Sequence, residues 1–233
     1  LAKAGKLLWR AKLPKTADER AALADRFVFA PDSTHPHEST GHVLYTQAIV
    51  RSLPALAIAN ATPTAHVSGP ALDPANWERA KLAPITAAKL SAGVASADPA
   101  TDAHAKVGAK RLPAMVRLTR PGQSLEFRFQ GTHCAVYDVV GPAGGKVAVT
   151  LDGGKPFVVQ RIDAYGTYPR LSTFIVGTDL AEGVHSVRLE LLADPIDKAA
   201  VLAKNKNKID KPERFAPLEF HPGGLLLVGE LVP

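Results

Sequence analysis

Val147-Ala148-Val149-Thr150-Leu151 is followed at once by Asp152-Gly153-Gly154. The first five residues carry the two-residue period of a strand that buries one face. Asp-Gly after such a run marks a hairpin, because the tight turn needs backbone with positive φ that these residues tolerate. The same period recurs in Val116-Arg117-Leu118, in Leu125-Glu126-Phe127-Arg128-Phe129 and in Val187-Arg188-Leu189-Glu190-Leu191. Pro121-Gly122, Gly141-Pro142, Gly144-Gly145, Glu182-Gly183 and Pro222-Gly223-Gly224 read as turns between strands. Leu225 to Val228 reads as a final buried strand. Short strands with regular turns predict an antiparallel, jelly-roll-like β-sandwich over residues 111–233. A helical or irregular insertion, Asp194 to Phe215, interrupts its last hairpin.

Upstream of residue 111 the period is lost. Residues 57–110 are rich in Ala, Pro, Ser and Thr and show no sustained alternation. They are expected to form a connecting segment with short helical turns, in which Trp77 anchors the segment to a domain face. Residues 1–56 read as helical. Thr16-Ala17-Asp18-Glu19 has the form of a capping box, and Leu23 and Phe27 are spaced for one helix face. Pro31 ends the apolar run Phe27 to Ala30. Thr40 is a candidate N-cap for a second helix through Val43, Leu44, Ala48, Ile49 and Leu53, which Pro54 should end or kink. The fold expected is therefore α+β and multidomain.

Composition narrows the function classes. The 233 residues are 46% hydrophobic and 21% charged, which suits a packed globular chain. No apolar run approaches the roughly 20 residues that span a bilayer, so no membrane partner is expected. The net charge of +6 is scattered. The one basic cluster, Lys204, Lys206, Lys208 and Lys211, lies beside Asp210 and Glu213 with no interleaved aromatic rings, which argues against nucleic acid. A single cysteine, Cys134, excludes an intrachain disulfide and falls in an apolar strand pattern as a small core residue.

Chemistry concentrates in Asp32-Ser33-Thr34-His35-Pro36. A serine hydroxyl is a poor nucleophile until a neutral imidazole takes its proton, and a carboxylate on the other ring nitrogen fixes the imidazole's tautomer and steadies its charged form. A three-residue separation on a turn lets Asp32 reach the Nδ1 of His35, and Pro36 restricts the backbone of His35. Asp32, His35 and His37 could also suggest a metal site. Pro36 splays the two imidazoles and no further ligand pattern accompanies them, so no metal and no cofactor is expected.

The stretch from Phe29 through Asp32, His35-Pro36 and Gly41-His42-Val43-Leu44-Tyr45 resembles the last conserved block of SGNH (GDSL-type) hydrolases. The resemblance covers Leu1 to about Leu56. It implies that Asp32 orients, that His35 is the general base, and that residues 1–56 are the C-terminal tail of an α/β hydrolase domain. In that family the nucleophilic Ser lies in a Gly-Asp-Ser type motif near the start of the domain, and oxyanion-hole Gly and Asn residues come from two later blocks. None of these stands upstream of Asp32, where residues 1–31 contain no Ser. The expectation is that the chain is the C-terminal portion of a longer hydrolase and is inactive alone, its missing N-terminal catalytic half being its partner.

Residues 111–233 are similar in arrangement to the accessory β-sandwich of some bacterial SGNH hydrolases. The similarity lies in Phe129-Gln130-Gly131-Thr132, Tyr137 to Pro142 and Arg161 to Tyr165, with Asn76-Trp77-Glu78 in the connecting segment. It implies an esterase acting on acylated carbohydrate. Arg161, Asp163, Tyr165, Tyr168 and Arg170 cluster between two expected strands. They could contact a sugar, since Tyr rings stack on apolar sugar faces while Arg and Asp supply hydrogen bonds, or they could form a structural Arg–Asp pair with Tyr at the core edge. A non-catalytic carbohydrate-binding module and a purely structural sandwich are the alternatives to an esterase. His133, in an apolar run, is expected to be a hydrogen-bonded core residue.

Overall fold

The computed structural model describes residues 7–8, 15–23, 27–58, 69–73, 76–112 and 114–233. The chain divides into two compact units, Leu1–Pro70 and Ala71–Pro233.

In the first unit, strand β1 (Leu7–Leu8) pairs in parallel with β2 (Phe27–Val28), and helix α1 (Ala17–Leu23) lies between them in sequence. The purely helical reading of this region is thus corrected. Two-residue strands are too short to show a period, so the pattern of the flanking helices dominates. The capping box forms as expected: the Glu19 N–H donates to Thr16 Oγ1 (3.2 Å), and Glu19 Oε2 accepts from the N–H groups of Thr16 (3.0 Å) and Lys15 (2.6 Å). Helix α2 (Gly41–Ile58) runs through Pro54 instead of ending there. Residues 45–57 are exposed, so water can meet the carbonyl that the proline leaves without a donor.

The second unit is a sheet-rich, mostly antiparallel domain. Eight strands join one hydrogen-bonded sheet: β3 (Ala80–Pro84), β4 (Lys89–Leu90), β7 (Ser124–Val140), β8 (Lys146–Leu151), β9 (Phe157–Gln160), β10 (Arg170–Gly177), β11 (Gly183–Leu191) and β12 (His221–Val232). β5 (Ala95–Ser96) and β6 (Val116–Arg117) pair separately. Each alternating run read from the sequence lies in or at the edge of a strand. Residues 80–96, read as connecting segment, supply β3, β4 and β5, and helix α3 (Ala103–Gly108) follows. At the hairpin after β8, Asp152 and Gly153 take φ of 52° and 66°, as the turn requires.

The long strand β7 organises the sheet. Along one edge it pairs with β12. Along the other, its first half pairs with β11 and its second half with β10. Core residues on its first half are Leu125, Phe127 and Phe129; on its second half they are Cys134 and Val136. The parity of the inward residues flips between them. A bulge does this, and Gly131 faces Gly229 there. Both have positive φ (153° and 144°). A Cβ on Gly131 would strike the Val228 carbonyl, and one on Gly229 the Gln130 carbonyl. Both halves of the strand therefore serve one core, which also takes in Val147, Val149, Phe174, Leu189, Leu191, Phe220 and Leu225. Burying each such side chain stabilises by about 1.5–3 kcal/mol. Cys134 is fully buried among them, and burial pushes its thiol up to about 12. Pro222-Gly223-Gly224, read as a turn, lies inside β12 at a second irregularity in register. The glycines serve a bulge here, a role that composition does not separate from a turn.

Helices α4 (Lys198–Ala203) and α5 (Pro212–Phe215) form the expected insertion. Leu202 and Phe215 pack on Ile162. Lys198 is buried, and its ammonium donates to the carbonyls of Pro142 (2.8 Å), Phe215 (2.7 Å) and Pro217 (2.7 Å). It ties the insertion to the β7–β8 turn.

Candidate functional site

The loop after β2 brings Asp32 and His35 together. The strand ends at Val28, and beyond Pro31 the chain turns at Ser33, which takes φ of 72°. Asp32 Oδ1 accepts the N–H groups of Thr34 (2.9 Å) and His35 (2.8 Å). This Asx-type arrangement leaves Oδ2 aimed at His35 Nδ1, 2.6 Å away. The bond from His35, joined by the two backbone N–H groups, holds the Asp32 carboxyl well below the usual carboxylate range. Asp32 is thus an anionic acceptor, and it sets the tautomer with the proton on Nδ1 and a free lone pair on Nε2. The His35 side chain is 82% exposed, so that second nitrogen is open to a reacting group.

Neighbouring residues brace this loop. The His37 N–H donates to the Phe29 carbonyl (2.8 Å), and the His42 N–H to the His37 carbonyl (3.0 Å). Thr40 precedes α2, but its hydroxyl donates back to the Val28 carbonyl, fastening the helix entry to β2. Gly41 sits where a Cβ would come within 2.7 Å of Pro36 Cβ and 2.8 Å of the Phe29 carbonyl. Only glycine allows α2 to start so close to the His35-Pro36 segment. Tyr45 meets Phe29 edge to face, with ring centroids 5.5 Å apart. His37 turns toward the Ser39 hydroxyl (2.9 Å).

The second group of candidate residues divides. Arg161 is buried, and its guanidinium donates in a bidentate fork to Asp138, both bonds 2.7 Å. It also donates to Ser172 Oγ (3.1 Å) and lies over the Phe174 ring. Burial lifts the Asp138 carboxyl to about 6, against the opposing pull of Arg161. Arg161 is therefore fully engaged within the fold and is out of a ligand's reach. The other four gather at the surface. Arg170 donates to Asp163 Oδ2 and reaches over the Tyr165 ring, and Tyr165 and Tyr168 are 56% and 57% exposed. Arg214 and Asn207 of the insertion hold this loop by donating to the carbonyls of Thr167 (3.0 Å) and Ala164 (2.7 Å).

Two positions read differently from expectation. His133 is buried as anticipated, yet its Nδ1 has no hydrogen-bond partner. Trp77 is 65% exposed, with its ring 4.8 Å from that of His133. They border a groove of about 440 Å³ with Leu82, Ile175 and Leu226. Asp102, His104, Glu219 and His221 also converge in this unit. They are up to 119 residues apart in sequence (221 − 102), so no local spacing announces them.

No sequence profile of a known protein family matches the chain, and no curated protein is similar to it in sequence. Solved structures do share its fold. A two-domain esterase (CEX) active on acetylated mannans, co-crystallised with mannopentaose, superposes with a TM-score of 0.60 at 14% identity, over 88% of this chain and 50% of that one. A second structure of a two-domain esterase (CEX) active on acetylated mannans gives 0.59 at 16% identity, over 87% and 50%. A family two carbohydrate esterase from Cellvibrio japonicus gives 0.42 at 11% identity, over 66% of this chain and 35% of that one. The chain spans about half the length of the CEX structures.

Proposed function

We propose that this chain is the C-terminal portion of an SGNH-type serine esterase that removes acyl groups from carbohydrate. In this reading His35 Nε2 takes the proton of a serine hydroxyl lying in a part of the protein outside this sequence. Asp32 holds the imidazole and stabilises its charged form as the hydroxyl attacks the ester carbonyl. The same imidazolium then returns the proton to the leaving sugar oxygen, and a water repeats the cycle to free the acid.

The observation that carries the reading is the 2.6 Å contact between Asp32 Oδ2 and His35 Nδ1, with the far side of the ring open. Two features support it. The dyad follows the C-terminal end of a parallel strand, the usual address of a site in an open α/β sheet. Helix α2 also exposes Val43, Tyr45, Ile49, Val50, Leu53 and Leu56, each at least 41% accessible. So apolar a helix buries its face in a complete domain. The CEX likeness lends the substrate class.

The test is covalent labelling of the full-length protein by a fluorophosphonate, which captures activated serines. Labelling of one serine upstream of this sequence, lost in His35→Gln, is expected. Absence of labelling, or labelling indifferent to His35, refutes the assignment.

A second reading, sugar binding by the sheet domain, draws on Tyr165 and Tyr168 standing exposed beside Arg170. Titration of an acetylated mannan oligosaccharide into the chain should then show binding that Tyr165→Ala and Tyr168→Ala together abolish. Equal heats with parent and variant would discard it.

A further inference from the structure

One cluster in the sheet domain lies outside everything assigned above. Asp102 is the N-cap of α3. Its Oδ1 accepts the N–H groups of His104 (2.8 Å) and Ala105 (3.1 Å). Oδ2 is left facing His221 Nε2 at 3.8 Å. His104 Nδ1 lies 3.6 Å from Asp102 Oδ1. The two imidazoles stack with centroids 3.8 Å apart and planes 8° from parallel. One ligand atom from each of Asp102, His104 and His221 falls within 4.8 Å of the others. Glu219 Oε2 lies 3.3 Å from His221 Nε2.

The cluster leaves a chemical debt within the fold. His221 is 2% exposed, yet its Nε2 has no hydrogen-bond partner. A buried imidazole nitrogen without a partner costs about 1–3 kcal/mol. Of the two carboxylates, Glu219 is engaged by the Arg117 guanidinium, which donates to its Oε1 at 2.6 Å, and also feels the Lys198 charge, while Arg117 stays 3.9 Å from Asp102. Two ligand atoms on a tetrahedral ion with bonds of about 2.0–2.1 Å stand about 3.4 Å apart. The 3.8 Å between Asp102 Oδ2 and His221 Nε2 is close to that spacing, and the two stacked rings must turn out of their parallel planes for both to aim an in-plane lone pair at one ion.

We infer that Asp102, His104 and His221 form a binding site for one divalent first-row transition ion, of which Zn²⁺ is the natural occupant. Two imidazoles and a carboxylate are a zinc-type donor set, unlike the oxygen-only shells of calcium or magnesium. His104 Nδ1, His221 Nε2 and Asp102 Oδ2 supply three bonds. The fourth position faces Glu219 Oε2, which accepts a hydrogen bond from an ion-bound water. Arg117 holds Glu219 from behind, an outer-shell role. The ion would clamp α3 to β12 and so act on stability, apart from the Asp32–His35 chemistry in the other unit.

Isothermal titration of the metal-stripped full chain with ZnCl₂ at neutral pH tests this. One equivalent should bind, and the unfolding midpoint should rise. His221→Gln and His104→Ala should each lose that equivalent and the rise, while Glu219→Gln weakens binding by about 10–100-fold. His37→Ala removes an imidazole in the other unit and should bind zinc like the parent. Folding of each variant is checked by circular dichroism. If His221→Gln does not fold, His104→Ala decides alone, since the His104 side chain keeps 13% exposure against 2% for His221. Failure of the folded parent to take up zinc overturns the inference. So does an equivalent that survives in both His104→Ala and His221→Gln, or one lost in His37→Ala.

Discussion

Asp32 and His35 were legible because three residues of sequence separate them, and the turn that joins them is written in the same residues. Asp32 Oδ1 organises the backbone while Oδ2 takes the ring. His185 shows the same chemistry without local spacing. Its Nδ1 meets Asp152 Oδ2 at 2.7 Å and its Nε2 meets the Ala181 carbonyl at 2.9 Å. Both nitrogens face acceptors, so the Asp152 bond first, and the Ala181 carbonyl second, raise this imidazole above its ordinary 6.5. Its contribution to stability is complete below that value and is lost as pH rises through the raised one. Proton-detected NMR titration should place His185 above 6.5, and Asp152→Asn should bring it down. An unshifted His185 in the parent contradicts the pair. Arg161 marks the limit of sequence reading. An arginine beside two tyrosines looks like a ligand contact, yet Asp138, 23 residues away, claims it. Arg161→Met should destabilise by about 3–5 kcal/mol through the stranded Asp138 charge, and adding Asp138→Leu should restore most of it. Chemical denaturation of both variants checks this.

At the scale of elements, period-two alternation revealed β6, β7, β8 and β11. It did not reveal β9, or β10, where the exposed Ile175 between buried Phe174 and Val176 hides the period. It missed β3, β4 and β5, which are short and nearly all exposed, and it missed the parallel pair β1–β2 for the same reason of length. Glycine was ambiguous: Gly223-Gly224 reads as a turn and is a bulge inside β12, because both features draw on the same backbone freedom. The bend at Gly131 and Gly229 lets one pair of strands serve a single core. Gly229→Ala should therefore destabilise the domain by about 1–3 kcal/mol from backbone strain, with a further cost from the Gln130 carbonyl that its Cβ would strike. Thermal unfolding measures this, and a midpoint equal to the parent's would show that the bend tolerates a side chain.

For the whole molecule, the division into 1–70 and 71–233 falls inside the segment of residues 57–110 that composition set apart. The proposed function joins two observations, the exposed apolar side chains on α2 and the lack of any Ser among residues 1–31, by having Asp32 and His35 serve an active site completed by other residues. The chain alone should hydrolyse p-nitrophenyl acetate no faster than its own His35→Ala variant. A clear difference between them would reveal a nucleophile within these 233 residues.

The most direct measurement is turnover of an acetylated mannan oligosaccharide by the full-length protein, with and without His35→Ala. Loss of about 10²–10⁴-fold in kcat, with the far-ultraviolet spectrum and unfolding midpoint unchanged, is predicted. Turnover equal to the parent's would contradict the role given to this imidazole, and with it the esterase assignment.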